Sequence, residues 1–410
     1  MPPIYLDYNA TTPLDPAVLE AMLPYLRSEF GNPSSTHNYG RSAKEAVDKA
    51  RGQIAGLLNS KPEEVVFTGG GSEASNQAIK GVVFPILFGL SGNAGCVRGW
   101  LGGGWMCRLR GLFQRSATKV HIITSAIEHP ATLRPCGFLQ SLGCQITVLP
   151  VDQYGIIDCI ALRRALKQPT SLVSIMHSNN EVGTLQPIKE IVQLAHERGA
   201  LVHTDVAQSL GKVSVDVQDL GVDLLTVAGH KLYAPKGIGA LYVRDGVILE
   251  PLIHGAGHEH GRRAGTENVP SIVGLGKACE LAQQTLPAAT EQLKRLRDRL
   301  WQRLQEKLGE QLVLNGHPSE RLPNTLNCNF LGHIGTDLLA RVPEIAASTG
   351  SACHEGAVTL SPVLAAMGVL PEVGKGAVRL SVGRFTSEAD VDQAADLLAQ
   401  AVLQRGTVAA

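Results

Sequence analysis

Short apolar runs alternate with amphipathic stretches along the first two thirds of the chain. The apolar runs are each short enough for one strand, and they lie at 65–68, 120–124, 145–149, 172–176 and 201–205. Between them, residues 41–58 and 188–198 repeat apolar side chains at helical spacing. Because strands that alternate with helices form βαβ units, this pattern predicts an α/β fold with a largely parallel sheet.

The pattern changes after about residue 285. A charged helical pattern and two strand patterns follow, at 291–308, 325–330 and 378–382. A chain of 410 residues is long enough for two or three domains. We therefore predict a large domain over 15–285 and a smaller α+β domain formed by 1–14 and 286–410.

Residues 85–118 interrupt the alternation of the large domain. They contain several glycines together with Trp100 and Trp105, and their apolar positions follow no steady period. Long segments of this kind are usually surface loops or disordered insertions. We interpret 85–118 as an insertion. Cys96 and Cys107 within it lack the further ligands that a metal site needs, so we expect no metal.

Composition excludes several classes of protein. The 37 basic and 37 acidic residues balance, and no basic stripe exists, so neither nucleic acid nor an anionic membrane is an expected partner. The longest apolar run, 81–90, is too short to span a bilayer. A strand pattern at 4–7 leaves no room for a targeting peptide, and the eight cysteines are irregularly spaced. We expect a cytoplasmic protein.

A lysine and an aspartate follow two buried strands. Lys231 ends the short stretch 228–231 that follows the apolar run 222–227, and Asp205 ends the run 201–205. Moving an ammonium group out of water costs on the order of several kcal/mol of free energy unless another interaction compensates. Bonding to the aldehyde of pyridoxal phosphate is one compensation, and a carboxylate keeps the pyridine nitrogen of that cofactor protonated. The alternative from these two residues alone is a plain buried ion pair.

Other strand ends offer further groups for the same ligand. The sequence Gly69-Gly70-Gly71-Ser72 precedes a helix and suits a phosphate, although it is also an ordinary turn. His129 can stack on a flat ring, or be structural. Asn180 and Gln208 offer hydrogen bonds suited to a phenolic oxygen. Together, these strand ends predict a pyridoxal phosphate site.

In combination, the motifs of this chain resemble those of cysteine desulfurases. The motifs are Leu6-Asp7-Tyr8-Asn9-Ala10-Thr11-Thr12-Pro13, Gly31-Asn32-Pro33-Ser34-Ser35, Glu128-His129, Asn179-Asn180-Glu181-Val182-Gly183, Gly229-His230-Lys231 and Arg263-Ala264-Gly265-Thr266-Glu267. That family belongs to the fold-type I pyridoxal phosphate enzymes related to class V aminotransferases. The resemblance implies a mostly parallel seven-stranded sheet flanked by helices, plus a smaller C-terminal domain.

The resemblance also implies residue roles around pyridoxal 5'-phosphate. It makes Lys231 the residue that bonds the cofactor aldehyde, and it places Asp205 at the pyridine nitrogen. His129 stacks on the ring and takes part in catalysis. The groups near the phenolic oxygen and the phosphate are Asn180, Gln208, Gly71, Ser72 and His230. Thr266 matches a threonine that reaches the phosphate site of a partner subunit, so a homodimer is implied.

Two further motifs concern the substrate. Cys353, in the small-residue segment Ser351-Ala352-Cys353, matches the catalytic thiol of the family. Arg379 matches the arginine that holds the carboxylate of L-cysteine, a bidentate role that suits guanidinium. By the same resemblance, Asn32 and Asn180 also contact substrate. A persulfide formed on Cys353 then passes to a sulfur-acceptor protein, as in iron–sulfur cluster assembly.

The chain departs from the family at Ala228, where a phosphate-site hydroxyl is expected, and in the insertion 85–118. Selenocysteine lyases share both departures, so a lyase that acts on L-selenocysteine is the first alternative. A class V aminotransferase is disfavoured, because transamination has no use for Cys353. A weakly active scaffold that docks a partner through Trp100 and Trp105 is a third alternative, since tryptophan and arginine are enriched at interface hot spots.

Overall fold

The computed structural model describes residues 2–89, 120–349, 353–354, 357–358 and 360–404. Most of the predicted insertion, including Trp100 and Trp105, lies outside these residues. Within them, no helix combines the length and the apolar character needed to cross a bilayer.

A seven-stranded sheet lies at the centre of the molecule. Its strands are β2 (Val65–Thr68), β3 (His121–Ser125), β4 (Gln145–Leu149), β5 (Leu172–Ser174), β6 (Leu201–Asp205), β7 (Leu224–Ala228) and β8 (Gly239–Val243). They are arranged in the order β2-β8-β7-β6-β5-β3-β4. Only β8 runs antiparallel to its neighbours. The predicted mostly parallel, seven-stranded α/β fold is confirmed.

The sequence analysis missed β8, which pairs with β7 and β2. Ala228 and Gly239 bound a connection that holds a short 3-10 turn at Gly229–Lys231 instead of a crossover helix. A connection of this length can return only an antiparallel neighbour, because a parallel crossover needs about a dozen residues or more. This arrangement leaves Lys231 immediately beyond β7, inside the connection.

Helices cover both faces of the sheet and continue into the C-terminal part. They are α1 (Pro16–Arg27), α2 (Asn38–Leu58), α3 (Gly71–Leu87), α4 (Pro130–Ser141), α5 (Cys159–Ala165), α6 (Ile188–His196), α7 (Val217–Leu220), α8 (Val269–Leu308), α9 (Gly335–Ala340), α10 (Pro362–Ala366), α11 (Pro371–Gly374) and α12 (Glu388–Leu403). Local sequence explains several starts. Asp15 accepts a hydrogen bond from the Ala17 N–H at the start of α1, and Ser387 with Asp390 forms a capping box for α12.

The 40-residue helix α8 joins two hydrophobic cores. Its first part, through Ala282, packs into the core of the large sheet, whereas its second part, from Leu293, packs into a separate C-terminal core. The predicted helix 291–308 is therefore only the second part of α8. The domain boundary predicted near residue 285 falls between the two sets of buried residues, and we retain it as a proposal.

Smaller sheets complete the C-terminal part. Strands β9 (Leu312–Asn315), β10 (Thr325–Phe330) and β14 (Ala377–Ser381) form an antiparallel sheet with β10 in the middle. The N-terminal strand β1 (Ile4–Tyr5) pairs in parallel with β11 (Ile345–Ala346), and β12 (Cys353–His354) pairs with β13 (Ala357–Val358). The N-terminal segment is thus held against the C-terminal part, from where it leads to the large sheet.

Candidate active site

A pocket of about 440 Å³ opens at the carboxyl ends of the parallel strands. This is the edge at which ligands bind in open α/β sheets. Eight of the predicted site residues line the pocket: Gly71, Ser72, His129, Asn180, Asp205, Gln208, His230 and Lys231. Strands that are distant in sequence therefore bring these groups to one place.

Lys231 reaches the pocket from the turn after β7. Its Nζ donates hydrogen bonds to the backbone carbonyls of Asn9, at 2.5 Å, and Ala10, at 3.4 Å. Burial, with help from the positive charge of Arg379, lowers the pKa of this amine to about 8. Asp205 and Asp7 oppose the shift. Because a neutral amine is a nucleophile and a base, the site prepares Lys231 for both kinds of chemistry.

Asp205 ends β6 as a buried carboxylate. Its Oδ1 accepts the Ala207 N–H at 2.8 Å. Burial raises the pKa of Asp205, while the nearby His129 and Lys231 oppose that rise. Among the described residues, no cation lies within ion-pair distance of Asp205. This carboxylate would be stabilised by a cationic group placed in the pocket.

His129 begins α4, and its placement depends on its buried neighbour Glu128. The Glu128 carboxyl accepts hydrogen bonds from Ser125 Oγ, at 2.7 Å, and from the Met176 N–H, at 2.9 Å, which ties the ends of β3 and β5 together. His129 Nδ1 accepts the Ala131 N–H at 3.1 Å. Burial lowers the pKa of His129. The ring is therefore held as a neutral, flat surface at the pocket wall.

The glycine-rich loop forms another wall, at the start of α3. Gly70 has φ 141°, a conformation that side chains other than glycine rarely adopt, and no side chain caps the helix there. A Cβ on the facing residue Gly239 would lie 2.8 Å from the Gly70 carbonyl carbon, so the two backbones need glycine to approach each other. Gly71 and Ser72 line the pocket at the helix N-terminus, where N–H groups and the helix dipole favour a phosphate.

These residues fit pyridoxal phosphate. An amine with a lowered pKa, an unpaired buried carboxylate, a neutral imidazole and a helix N-terminus meet in one cavity. In that order, they are suitable partners for the aldehyde, the pyridinium nitrogen, the flat ring and the phosphate of this cofactor. His230 adds a second neutral imidazole to the pocket lining, because burial and Lys231 lower its pKa to about 4. Ala228 lines the pocket without a hydroxyl.

Arg379 lies next to this pocket, in a group that we call the Arg379 corner: Asp7, Asn180, Ser348 and Arg379. Arg379 Nη2 pairs with Asp7 Oδ1 at 2.7 Å, and its Nη1 donates to the Asn180 carbonyl at 3.0 Å. Asp7 Oδ2 accepts Ser348 Oγ at 2.8 Å. Within the described chain, nothing accepts from the buried Arg379 Nε. That unused N–H is suited to an incoming carboxylate.

The sequence analysis quoted Asp7 and Asn9 only as parts of a motif and gave Lys212 no role. Asn9 is buried, and its carbonyl accepts from both Lys231 Nζ and Gln208 Nε2. Lys212 is also buried, beside Gln208. A polar residue such as Asn9 carries no hydrophobic period, so sequence reasoning had no physical signal for its position.

Besides Arg379, the predicted residues Asn32 and Thr266 do not line the pocket. Asn32 is exposed and accepts the Ser34 N–H with its own side chain, and Thr266 is exposed on the loop before α8. The backbone places Cys353 in β12, but its side chain lies outside what the structure describes. The roles of Asn32, Thr266 and Cys353 stay predictions.

Five other cysteines are described, and all five are free thiols: Cys136, Cys144, Cys159, Cys279 and Cys328. Burial raises the pKa of each of them, to about 12 for Cys136 and about 11 for Cys159. A raised pKa keeps a thiol protonated and unreactive. These cysteines are therefore poor nucleophiles. No metal-binding cluster was found among the described residues.

Known proteins match this chain over nearly its whole length. The family profile described as aminotransferase class-V covers residues 4–87 and 107–394. A protein named cysteine desulfurase IscS from Dictyoglomus turgidum is 42% identical, over 99% of this chain and 96% of its own length. A solved NifS-like protein has a TM-score of 0.84 at 33% identity and covers 97% of this chain and 98% of its own. The structure described as SspA in complex with cysteine has a TM-score of 0.76 at 36% identity, covering 93% and 99%.

Proposed function

Because the chain belongs to the cysteine desulfurases within the aminotransferase class-V family, we propose that it converts L-cysteine to L-alanine and keeps the sulfur as a persulfide. One observation carries this proposal: Lys231, Asp205, His129 and the glycine-rich loop meet in a single pocket at the strand ends. The SspA structure that contains cysteine adds support for the substrate.

Pyridoxal phosphate is the cofactor in this proposal. When bound, it supplies an aldehyde for an amine and a ring that stores an electron pair released by the substrate. Asp205 would hold the pyridine nitrogen, with His129 on the ring face. Asn180 and Gln208 would face the phenolic oxygen, and the phosphate would lie at Gly71, Ser72 and His230.

The chain's own residues then divide the work on L-cysteine. Arg379 and Asn180 hold the substrate carboxylate, with Asn32 as a further contact. Lys231 takes the Cα proton on its Nζ, which is possible near neutral pH because its pKa is lowered to about 8.

Cys353 receives the sulfur. Its thiolate attacks the substrate sulfur, so that a sulfur–sulfur bond forms while the carbon–sulfur bond breaks. The electron pair of the broken bond stays with the substrate carbon, which takes up a proton and leaves as part of alanine. A sulfur-acceptor protein then removes the sulfur from Cys353.

We also propose a homodimer. The exposed Thr266 lies outside the pocket lining of its own chain, which agrees with a role in the phosphate site of a second copy. Sedimentation of the purified protein measures the oligomeric state, and Thr266→Ala should weaken phosphate binding without changing that state.

The names of the matched relatives support L-cysteine as substrate, and they give no support to the selenocysteine lyase alternative. An assay of alanine, sulfide and selenide from both amino acids compares the two directly. The desulfurase proposal expects turnover of L-cysteine. Turnover of L-selenocysteine alone would contradict it.

Two variants test the assigned residues. Lys231→Ala should remove turnover, because it deletes the base and the amine that bonds the cofactor. Cys353→Ser should stop sulfide release while leaving the yellow colour of bound cofactor. Cys159→Ser is the matched control, because burial and Glu190 keep its thiol protonated, and it should behave like the unmodified protein. Full sulfide release by Cys353→Ser would refute the nucleophile.

A further inference from the structure

Lys212 is a buried lysine that the proposed reaction leaves unused. It lies four residues after Gln208, in the turn that follows β6, and only 6% of its surface is exposed. Its Nζ donates to Gln208 Oε1 at 3.2 Å and reaches Asn9 Oδ1 at 3.5 Å. Within the described chain, no carboxylate pairs with it.

A buried cation without a carboxylate is costly. Burial, together with the positive charges of Lys231 and Arg379, lowers the pKa of Lys212 to about 7. An apolar residue of similar volume would avoid that cost. The other hydrogen bonds of this position, from Thr290 Oγ1 to the Lys212 carbonyl and from the Lys212 N–H to the Ser209 carbonyl, use only backbone atoms of residue 212. The amino group therefore has a use other than stability.

The contacts of that amino group determine the direction of a neighbouring amide. Lys212 Nζ donates to Gln208 Oε1, so the oxygen of this amide faces the amino group. The NH₂ of Gln208 is thereby turned the other way, where it donates to the Asn9 carbonyl at 2.9 Å. Its second N–H is left for an acceptor in the pocket, which Gln208 lines.

The same Asn9 carbonyl accepts the reactive amine, Lys231 Nζ, at 2.5 Å. The side chain of Asn9 has its own fixed direction, because its oxygen accepts from Asn324 at 3.0 Å and its NH₂ donates to Thr325 at 2.8 Å. Gln208 has no such second support for its oxygen among the described residues. Lys212 and the Asn9 carbonyl together set the direction of the Gln208 amide.

We propose that Lys212 is a positioning residue, whose amino group fixes the amide of Gln208 so that one N–H holds the Asn9 carbonyl beside Lys231 and the other faces the cofactor. This inference rests on the proposed function, because it concerns the residues assigned to pyridoxal phosphate. If Lys212 is lost, only the bond to the Asn9 carbonyl still orients the amide, so the amide rotates more easily and can present its oxygen to the cofactor.

Lys212→Met tests the proposal in the pyridoxal phosphate-loaded protein. It removes both the charge and the donor, and Lys212→Gln removes the charge while keeping N–H donors. The exposed Lys189, which pairs with Asp219 on the surface, supplies the control Lys189→Met. Two quantities are measured: kcat with L-cysteine, and the pKa of the visible absorption of the bound cofactor.

We expect Lys212→Met to lower kcat about tenfold, the effect of about one lost hydrogen bond, with a smaller change in KM. The absorption pKa should rise by roughly half a unit or more, because a nearby positive charge is gone. Lys212→Gln should keep kcat within about threefold of the unmodified protein, since a neutral donor still orients Gln208. Lys189→Met should change neither quantity.

Equal kcat and absorption pKa in Lys212→Met and the unmodified protein would overturn the proposal. So would a Lys212→Gln protein as slow as Lys212→Met, because the donor would then be irrelevant. If Lys212→Met does not fold, a tenfold loss of kcat in a folded Lys212→Gln overturns the proposal by itself. An unmodified protein that binds no pyridoxal phosphate would refute the proposed function instead.

Discussion

Two parts of the site adjust charge in opposite ways. At the sheet edge, Lys231, His129 and His230 have lowered pKa values because burial disfavours their charged forms. In the Arg379 corner, by contrast, Asp7 places an opposite charge 2.7 Å from the guanidinium. The first part is suited to proton transfer and bond formation. The second is suited to holding an anion.

The two parts also differ in how the chain builds them. Asp205 and Lys231 follow neighbouring parallel strands, so the sheet alone brings them together. Arg379 and Asp7 are 372 residues apart in sequence, and they meet because the N-terminal segment pairs with the C-terminal part. Burial therefore sets the pKa values of the residues at the sheet edge, whereas the geometry of the Arg379 corner depends on individual side-chain contacts. Three predictions test this difference.

The largest effect concerns the pH dependence of cofactor binding by Lys231. Its pKa falls from 10.5 to about 8, so its neutral fraction at pH 7.5 is larger by about 100-fold or more than that of an ordinary lysine. Because only the neutral amine attacks an aldehyde, the rate at which the cofactor-free protein takes up pyridoxal phosphate should rise with pH and level off above about 8.

Absorbance after mixing measures that rate, and borohydride trapping with peptide mapping identifies the modified lysine. The exposed Lys189, which pairs with Asp219 on the surface, serves as the internal control in the peptide map. A midpoint for Lys231 near pH 10 would show that burial does not lower the pKa of this amine.

What the sequence could predict follows the same division. Strand ends were predictable, because apolar runs mark the strands and the residues at or shortly after the end of each run fall at the sheet edge. Asp205 and Lys231 were found in this way. Strand β8 and the first part of α8 were missed, since neither was separated from its surroundings by a clear change of pattern. Asp7, Asn9 and Lys212 have roles that depend on long-range contacts, which no local period reports.

A second prediction concerns the fork geometry of Arg379. Arg379→Lys keeps the charge but loses the bidentate donors, including the buried Nε–H that has no acceptor in the described structure. We expect kcat/KM for L-cysteine to fall about 10- to 100-fold, the range for hydrogen bonds to charged groups, mostly through KM. Steady-state assays of alanine measure it.

Arg384→Lys is the matched control for that variant. Arg384 also pairs with an aspartate, Asp15 at 2.5 Å, but it stacks on Tyr233 away from the pocket lining. The Arg384→Lys protein should have a KM within about twofold of that of the unmodified protein, as expected for an ordinary surface substitution. If Arg379→Lys and Arg384→Lys have the same KM, Arg379 does not hold the substrate carboxylate.

The smallest effect tests whether Asp7 orients Arg379 or competes with substrate for it. Asp7 contacts Arg379 with one carboxylate oxygen and Ser348 with the other, so it links the guanidinium to the segment that carries Ser348. Asp7→Asn keeps the shape and one acceptor but loses the negative charge that pairs with the guanidinium. If orientation dominates, kcat/KM should fall about three- to tenfold, because losing the charge of one partner weakens the contact by about 1 kcal/mol. Ser348→Ala should give a smaller change in the same direction, since it removes only the outer contact.

If competition dominates, the Asp7→Asn protein should instead have a lower KM than the unmodified one, because an anion next to the carboxylate site has been removed. That outcome would contradict the view that the Arg379 corner is built to position its arginine.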